Sequence, residues 1–331
     1  MKIVNDIKDI DKSAWNAFVE KHPQGTVFQT YEMYEVYQNT SNNQPIVVAA
    51  LENDKILGLM LAVLTWNGNA FAKMFTARSI IIGGPLIADN DEEVLRLLCD
   101  DYRKRLPRYV IYSEIRPIYC MDSISMILIK EGYKRVGHYN LTLDVSKEEQ
   151  TIWMEMHKER QRNVKQAEKF GLEFREVKDD KTADEIVDVI RQTYKRKHVP
   201  MSDFDLLLQA KRALREHIYF FAAYYGGKMV AGQIRLCYKD LVYAWFAGSD
   251  EKYFKQRPND FLMWNVISWA HNNGYKFFDF GGGGEPGKPY GVRDYKLKYG
   301  CQMFDYGRFQ LFHRPLMFKI GKFGANLIMK R

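Results

Sequence analysis

The chain has little of what announces secretion, a metal centre or a membrane span. Its four cysteines, Cys99, Cys120, Cys237 and Cys301, are scattered, with no C-x-x-C and no metal-ligand spacing. They read as small core residues in a reducing compartment, and no metal is expected. The N-terminus, Met1-Lys2-Ile3-Val4-Asn5-Asp6, lacks the apolar stretch of a signal peptide. The longest apolar run, Ile56 to Trp66, is about half a membrane span. Together these absences predict a soluble, cytoplasmic protein.

A further absence concerns residues 278–300, FDFGGGGEPGKPYGVRDYKLKYG. Gly282, Gly287 and Lys288 fit G-x-x-x-x-G-K, and Gly282, Gly284 and Gly287 fit G-x-G-x-x-G. Both motifs need a strand running in and a helix starting directly after, so that free N–H groups and the helix dipole meet a phosphate. The strand is present at 275–280. The helix is not expected, because Pro289 stands where the magnesium-holding Ser or Thr should be and Gly291 follows two residues later. A nucleotide cradle is therefore set aside, leaving a mobile linker or a functional loop of another kind.

The 331 residues exceed one ordinary core and predict two domains. An apolar fraction of 46% with 14% aromatics excludes wholesale disorder. The formal charge of +8 points to a polyanionic partner such as phosphate, nucleic acid or a membrane surface.

The chain says something similar twice. Residues 46–61, IVVAALENDKILGLML, and 219–234, YFFAAYYGGKMVAGQI, each read as a strand, a two-residue turn and a second strand. Ala49-Ala50 recurs as Ala222-Ala223 and Lys55 as Lys228, at one constant offset. Helical stretches precede each hairpin; a strand, a helix and a buried strand follow. The order is α+β, and its recurrence predicts a tandem duplication. Between the halves, Lys158, Arg162, Lys165 and Lys169 share one helical face, while Trp153, Met156, Val164 and Ala167 lie largely on another. That stripe is either a solvated face or a contact surface for RNA or phosphate. The expected boundaries are 1–148 and 176–314 for the domains, 149–175 for a basic helical connection and 315–331 for a basic amphipathic tail.

This element order resembles GNAT-type N-acyltransferases, and two units in tandem resemble the Fem family of aminoacyltransferases. KERQRNVKQAEKFGLEFRE resembles the family's basic entry to its second domain. PNDFLMWNVISWAHNNGYKFFDFGG is similar to its helix and the strand that ends in Asp and glycines. YGVRDYKLKYG resembles the segment where an aromatic-Lys pair precedes an aromatic-Gly pair, and VFQTYEMYEVY the first-domain Gln-Thr element. The likeness covers nearly the whole chain.

The resemblance implies two GNAT-like domains and an amine that attacks an activated ester, with the donor on aminoacyl-tRNA. The acceptor would be the peptide of a UDP-muramyl or lipid-linked peptidoglycan precursor, with no further cofactor. Lys296 would stabilise negative charge, with Tyr295 beside it and Asp279 orienting the loop or acting as a base. Gly282 and Gly283 would let backbone pass close to substrate. Arg196, Arg293, Tyr243 and Trp245 would contact substrate, and Lys158, Arg162, Lys165 and Lys169 would contact tRNA or phosphate. Coenzyme A is disfavoured, since the second half reads Gln256-Arg257-Pro258-Asn259-Asp260 where an acyl-CoA pyrophosphate loop belongs, and Pro258 removes a donor. The sequence departs from the family at a first-domain lysine, where Glu35 and Tyr37 stand. Two alternatives stay open: an acetyl- or acyl-CoA-dependent N-acyltransferase acting on an amino sugar or polysaccharide precursor, and a non-catalytic RNA- or membrane-binding protein. The tail from Leu316 to Arg331 mixes apolar and basic residues and suits peripheral membrane contact at the inner face, or packing on the domain.

Overall fold

The two hairpins form where the sequence places them. Asn53 and Asp54 adopt positive φ (48° and 63°), and Gly226 and Gly227 do the same (55° and 76°). This is the backbone that a two-residue turn needs to match the twist of its strands. The computed structural model describes residues 1–197 and 204–319; the tail beyond Lys319 lies outside them.

The first stretch contains β1 (Lys2–Val4), α1 (Lys12–Lys21), α2 (Tyr31–Gln38), β2 (Asn43–Glu52), β3 (Lys55–Thr65) and α3 (Ala70–Thr76). It continues with β4 (Arg78–Ile82), β5 (Leu86–Ile87), α4 (Glu92–Arg105), β6 (Tyr112–Arg116), α5 (Asp122–Lys130) and β7 (Lys134–Val136). The second begins with β8 (Tyr139–Asp144), α6 (Glu149–Glu155), α7 (Lys158–Lys169), β9 (Glu173–Val177), α8 (Asp180–Arg196) and α9 (Asp205–Leu214). Then come β10 (Ile218–Tyr225), β11 (Lys228–Tyr238), β12 (Leu241–Ser249), α10 (Pro258–Asn272), β13 (Phe277–Gly284), α11 (Gly291–Leu297) and β14 (Gln302–Asp305). A last strand, β15 (Arg308–Phe312), follows.

Two sheets result, with orders β1-β2-β3-β4-β6-β15-β7 and β9-β10-β11-β12-β13-β8-β14. The orders match position by position. Each sheet has one parallel pair on its path, β4–β6 and β12–β13, and is otherwise antiparallel. That recurrence is the structural form of the duplication.

The division of the chain falls elsewhere than the sequence suggested. One unit is Met1–Gly137 together with the chain from Tyr306, and the other is His138–Asp305. The reason is a reciprocal exchange of strands. β8, which follows the first unit, pairs with β13 and β14, while β15, which follows the second, pairs with β6 and β7. Residues 149–175 are likewise no free connection. Ile152, Met156 and Ala167 are buried in the second unit's core with Leu262, Val266 and Phe278, and Val164 is buried as well. Residues 315–319 form a helical turn whose Phe318 ring lies 5.2 Å from Tyr112 and 4.6 Å from Phe312, so the start of the tail belongs to the first unit.

Around the β4–β6 pair the first unit carries a closed polar chain. The Tyr102 hydroxyl meets Ser79 Oγ and Ser113 Oγ, both at 2.7 Å, and Ser113 Oγ lies 2.8 Å from His313 Nε2. All three hydroxyls are buried and partnered, which is what makes a polar core affordable.

Candidate active site

The second unit's parallel pair does not stay together. β12 and β13 share register only over Leu241–Tyr243 and Phe277–Asp279. Beyond Asp279, β13 turns to its other neighbour, with Gly282 opposite Asn140 and Gly284 opposite Tyr139. β12 stays with β11 and bulges at Trp245, which falls between the pairs Phe246–Ile234 and Ala244–Arg235. The two strands thus splay, and the middle of β12 shows it: Tyr243, Ala244, Trp245 and Phe246 are only half-buried and Ala247 is exposed, although β12 is an interior strand.

The glycine run makes the far side of this gap. Gly281 and Gly284 have φ of 74° and 78°, which disfavours any side chain. A Cβ at Gly283 would lie 2.3 Å from Leu141 Cδ1 and one at Gly282 2.7 Å from His138 Cε1. The glycines let β8 approach. Contrary to the sequence expectation, a helix does begin at Gly291, two turns of α11 set off from the glycines by a turn. Lys288 of the literal P-loop motif instead pairs with Glu285 and is exposed, so the cradle remains excluded.

α11 brings Lys296 to the glycines. Its Nζ donates to Gly282 O at 2.8 Å, and Cys301 Sγ donates to Lys296 O at 3.2 Å. Burial pulls the ammonium down to about 8, against the attraction of the Asp279 carboxylate. Asp279 is buried; its Oδ1 accepts from Gly281 N at 2.6 Å, and its Oδ2 has no partner among the described residues. Burial pushes this carboxyl up to about 7, only partly offset by the Gly281 N–H and by Lys296. An acid and a base with nearly matched affinities for protons therefore interact on the β13 side of the splay.

Tyr295 plays a different part. Its hydroxyl lies 2.8 Å from that of Tyr299, which donates to Asp260 Oδ1 at 2.9 Å. Asp260 is buried and also binds Arg160 and, at 2.8 Å, Asn163 Nδ2. The Arg160 guanidinium lies 4.7 Å over the Tyr295 ring. This network ties α7, α10 and α11 together and so fixes the helix that carries Lys296. Sequence reading missed it because Arg160 and Asn163 sit among solvent-facing charges on α7.

The basic stripe does face outward. Lys158, Arg162, Lys165 and Lys169 are exposed and, with Arg257, Gln161 and Gln166, line a concavity of about 710 Å³. Among the described residues none of the four stripe cations meets a carboxylate within 4.0 Å. Arg257, which the sequence reading noted only where a pyrophosphate loop would belong, precedes α10 with φ 60° and leaves that helix without a side-chain cap.

Two other expected substrate contacts are occupied within the protein. Arg293 staples the loop, its Nη1 donating to Gly283 O at 3.2 Å and to Glu285 O at 3.3 Å, and its Nη2 to Lys288 O at 2.7 Å. Arg196 Nη2 donates to Ser249 O at 3.1 Å, and its Nε lies 3.2 Å from Glu251 Oε2. Tyr243 and Trp245 both stand on the half-buried stretch of β12, and Tyr243 Oη lies 3.4 Å from where a Cβ on Gly281 would stand. In the first unit, Glu35 is half-buried and pairs with Lys12 at 3.3 Å, while Tyr37 is buried.

One residue gave a signal that went unread. Arg235 is the lone charge in the apolar strand VAGQIRLCY and is 1% exposed. It donates to Gln233, to Ile234 O at 3.1 Å and to Met263 Sδ at 3.7 Å, and its Nε is unpartnered. Among the described residues no carboxylate pairs with it, and burial pulls it down to about 9. It sits opposite the β12 bulge and adds positive potential at Lys296.

Residues 154–297 match the acetyltransferase (GNAT) domain family. No curated protein sequence matches the chain significantly. Among solved structures, FemX is similar over 97% of this chain and 100% of its own, with a TM-score of 0.73 and 14% identity. L-PGS from Bacillus licheniformis is similar over 94% of this chain and 96% of its own, with a TM-score of 0.60 and 14% identity. A tandem GNAT protein from the clavulanic acid biosynthesis pathway is similar over 94% and 98%, with a TM-score of 0.58 and 8% identity. At these identities the likeness is one of fold, and it agrees with the matched sheet orders: this chain has a Fem-like tandem GNAT acyltransferase fold.

Proposed function

We propose that the second unit is the acyl-transfer centre of a Fem-type aminoacyltransferase. It would move an amino acid from aminoacyl-tRNA to an amine of a peptidoglycan precursor peptide. The observation that carries this reading is the Asp279–Lys296 pair at the point where β12 and β13 part. The splay receives the donor's acyl arm alongside β12, with Tyr243 and Trp245 on its wall. The acceptor amine attacks the ester carbonyl, forming the C–N bond. Lys296, as ammonium, stabilises the oxyanion, and the free Oδ2 of Asp279 takes the proton the amine gives up. Collapse of the tetrahedral intermediate breaks the ester C–O bond, and Asp279 returns the proton to the departing ribose oxygen. Arg235 and the Tyr295–Tyr299–Asp260–Arg160 network position Lys296. The concavity under Lys158, Arg162, Lys165, Lys169 and Arg257 takes the tRNA backbone, whose charge the stripe neutralises. FemX and L-PGS share the fold and support this class of reaction.

A second reading draws on the uncapped N-terminus of α10, a place where a pyrophosphate can sit. It is an acetyl- or acyl-CoA-dependent N-acyltransferase acting on an amino sugar or polysaccharide precursor. A transfer assay read by mass spectrometry separates the two. The protein is offered UDP-muramyl-pentapeptide or its lipid-linked form, with charged tRNAs or with acetyl-CoA. A mass gain of one aminoacyl residue is expected; a gain of one acetyl group, or none with either donor, overturns the Fem-type reading.

A further inference from the structure

Helix α3 is inside out. A surface helix normally turns its apolar stripe to the core and its charges to water. Here Phe71, Met74 and Phe75, at i, i+3 and i+4, are 72%, 49% and 49% exposed. The helix's one cation is turned inward, with Lys73 Nζ 3.8 Å over the Trp66 ring and 4.7 Å over Tyr109. The inversion is well anchored. Asn69 caps the helix through Ala72 N at 3.1 Å, and Thr76 Oγ1 donates to Asn67 O at 3.0 Å and Ala72 O at 2.9 Å.

The same surface continues into the end of the chain. Arg314 Nη1 donates to Met74 O at 3.1 Å, and the turn that follows leaves Leu316 68% exposed. No Asp or Glu occurs from Lys55 to Ala88, nor from Tyr306 to Arg331. The sequence beyond Lys319 goes on alternating apolar and basic residues, with Ile320, Lys322, Phe323, Leu327, Ile328 and Lys330.

We propose that α3 and the turn from Arg314 to Lys319 form a docking surface for an anionic lipid bilayer. Two phenylalanines, a methionine and a leucine fall well short of the roughly 800 Å² that each partner of a stable protein interface buries. They suffice for a wedge entering about 5–10 Å into the headgroup boundary. The adjoining sequence is free of acids, and Arg314, held against α3, with exposed Lys319 in the turn that follows, supplies the charge complementarity that an anionic leaflet rewards and a neutral one does not. No helix among the described residues is long and apolar enough to cross a membrane, so the contact is peripheral. The inference stands apart from the acyl-transfer reading, although it fits an acceptor held on a lipid.

Vesicle flotation of the full chain tests it, using phosphatidylcholine alone and phosphatidylcholine with phosphatidylglycerol. The expected result is recruitment to the anionic vesicles only, weakened by salt. Recruitment should fall at least tenfold in Phe71→Ser/Phe75→Ser and measurably in Leu316→Ser. Both rings touch water and each other, at 5.5 Å between centroids, so thermal unfolding of the double variant should match the parent. Transfer to a water-soluble acceptor should also be unchanged. Equal binding to both vesicles, no binding, or undiminished binding by the double variant overturns the proposal. So does a concentration-dependent dimer that the double substitution dissociates, which would make a second copy the occupant.

Discussion

The two parallel strand pairs occupy the same place in matching sheets and have opposite fates. In the first unit, β4 and β6 run together from Ser79–Ser113 to Ile82–Arg116, and Gly83 N donates to Arg116 O at 2.9 Å to extend the contact. In the second, β12 and β13 part at Tyr243 and Asp279. Each pair holds a buried carboxylate, and these differ just as sharply. Glu114 would be raised by burial, but Arg116, Arg308 and Gln310 outweigh that and hold it below the ordinary range. Asp279 has one N–H and a free oxygen, and burial wins. The duplication thus supplies one closed, saturated copy that contributes stability. The open, unsaturated copy is where the proposed chemistry is placed.

Breaking the open copy should have the largest effect. Lys296→Ala is expected to lower turnover by about 10²–10³-fold, as loss of an oxyanion partner does, while leaving RNA binding intact. Mass-spectrometric transfer and a binding titration on the same variant check both halves; full activity would remove Lys296 from the chemistry.

Breaking the closed copy should act on stability alone. Glu114→Gln leaves Arg116 and Arg308 without their partner, which accepts at 2.7 Å and 3.1 Å. The cost is about 2 kcal/mol in urea unfolding, less than the roughly 3–5 kcal/mol of fully buried pairs because both arginines are partly exposed. Activity per folded molecule should not change.

The same kind of substitution at the open copy should have the opposite sign. Asp279 binds its proton more tightly folded than unfolded, so its contribution is full below pH about 4 and is lost as pH rises to about 7. Lys296 releases its proton more readily when folded, so stability recovers from about 8 upward as the folded lysine becomes neutral. A stability minimum is therefore expected near pH 7–8, where both groups are charged. Asp279→Asn should abolish the decline below it and stabilise the protein there by about 2 kcal/mol, at the expense of activity. The parent's kcat/KM should rise through about 7 and fall through about 8. An unchanged pH–stability curve in the variant would refute the assignment.

The smallest effect should come from the stripe. Lys165→Glu/Lys169→Glu is expected to weaken tRNA binding about tenfold at moderate salt and to reduce the salt slope by roughly two. Unchanged binding would return the stripe to an ordinary solvated face.

The local part of this fold was legible in the sequence. Hairpin turns, amphipathic helices and their repeated order rest on contacts between near neighbours, and Lys158, Arg162, Lys165 and Lys169 face outward as their spacing required. The partners of β8 and β15 were not legible, because a short strand carries no mark of which distant edge it will join. The site divides the same way. Lys296 and Asp279 were named through motif likeness, but their proton affinities depend on burial that no motif encodes. Arg293 and Arg196 look like free cations in the sequence and are spoken for by backbone carbonyls in the structure.

The exchanged strands also order events during synthesis. β7 has no neighbour in its sheet other than β15. The chain must therefore be translated through Phe312 before the first unit can close its sheet, whereas all the strands of the second unit have already been made. The half that begins first finishes last, and its unpaired β6 edge waits, exposed to mispairing, through the synthesis of its twin. A nascent chain stalled before Arg308 should therefore protect the second unit from protease and leave the first one open.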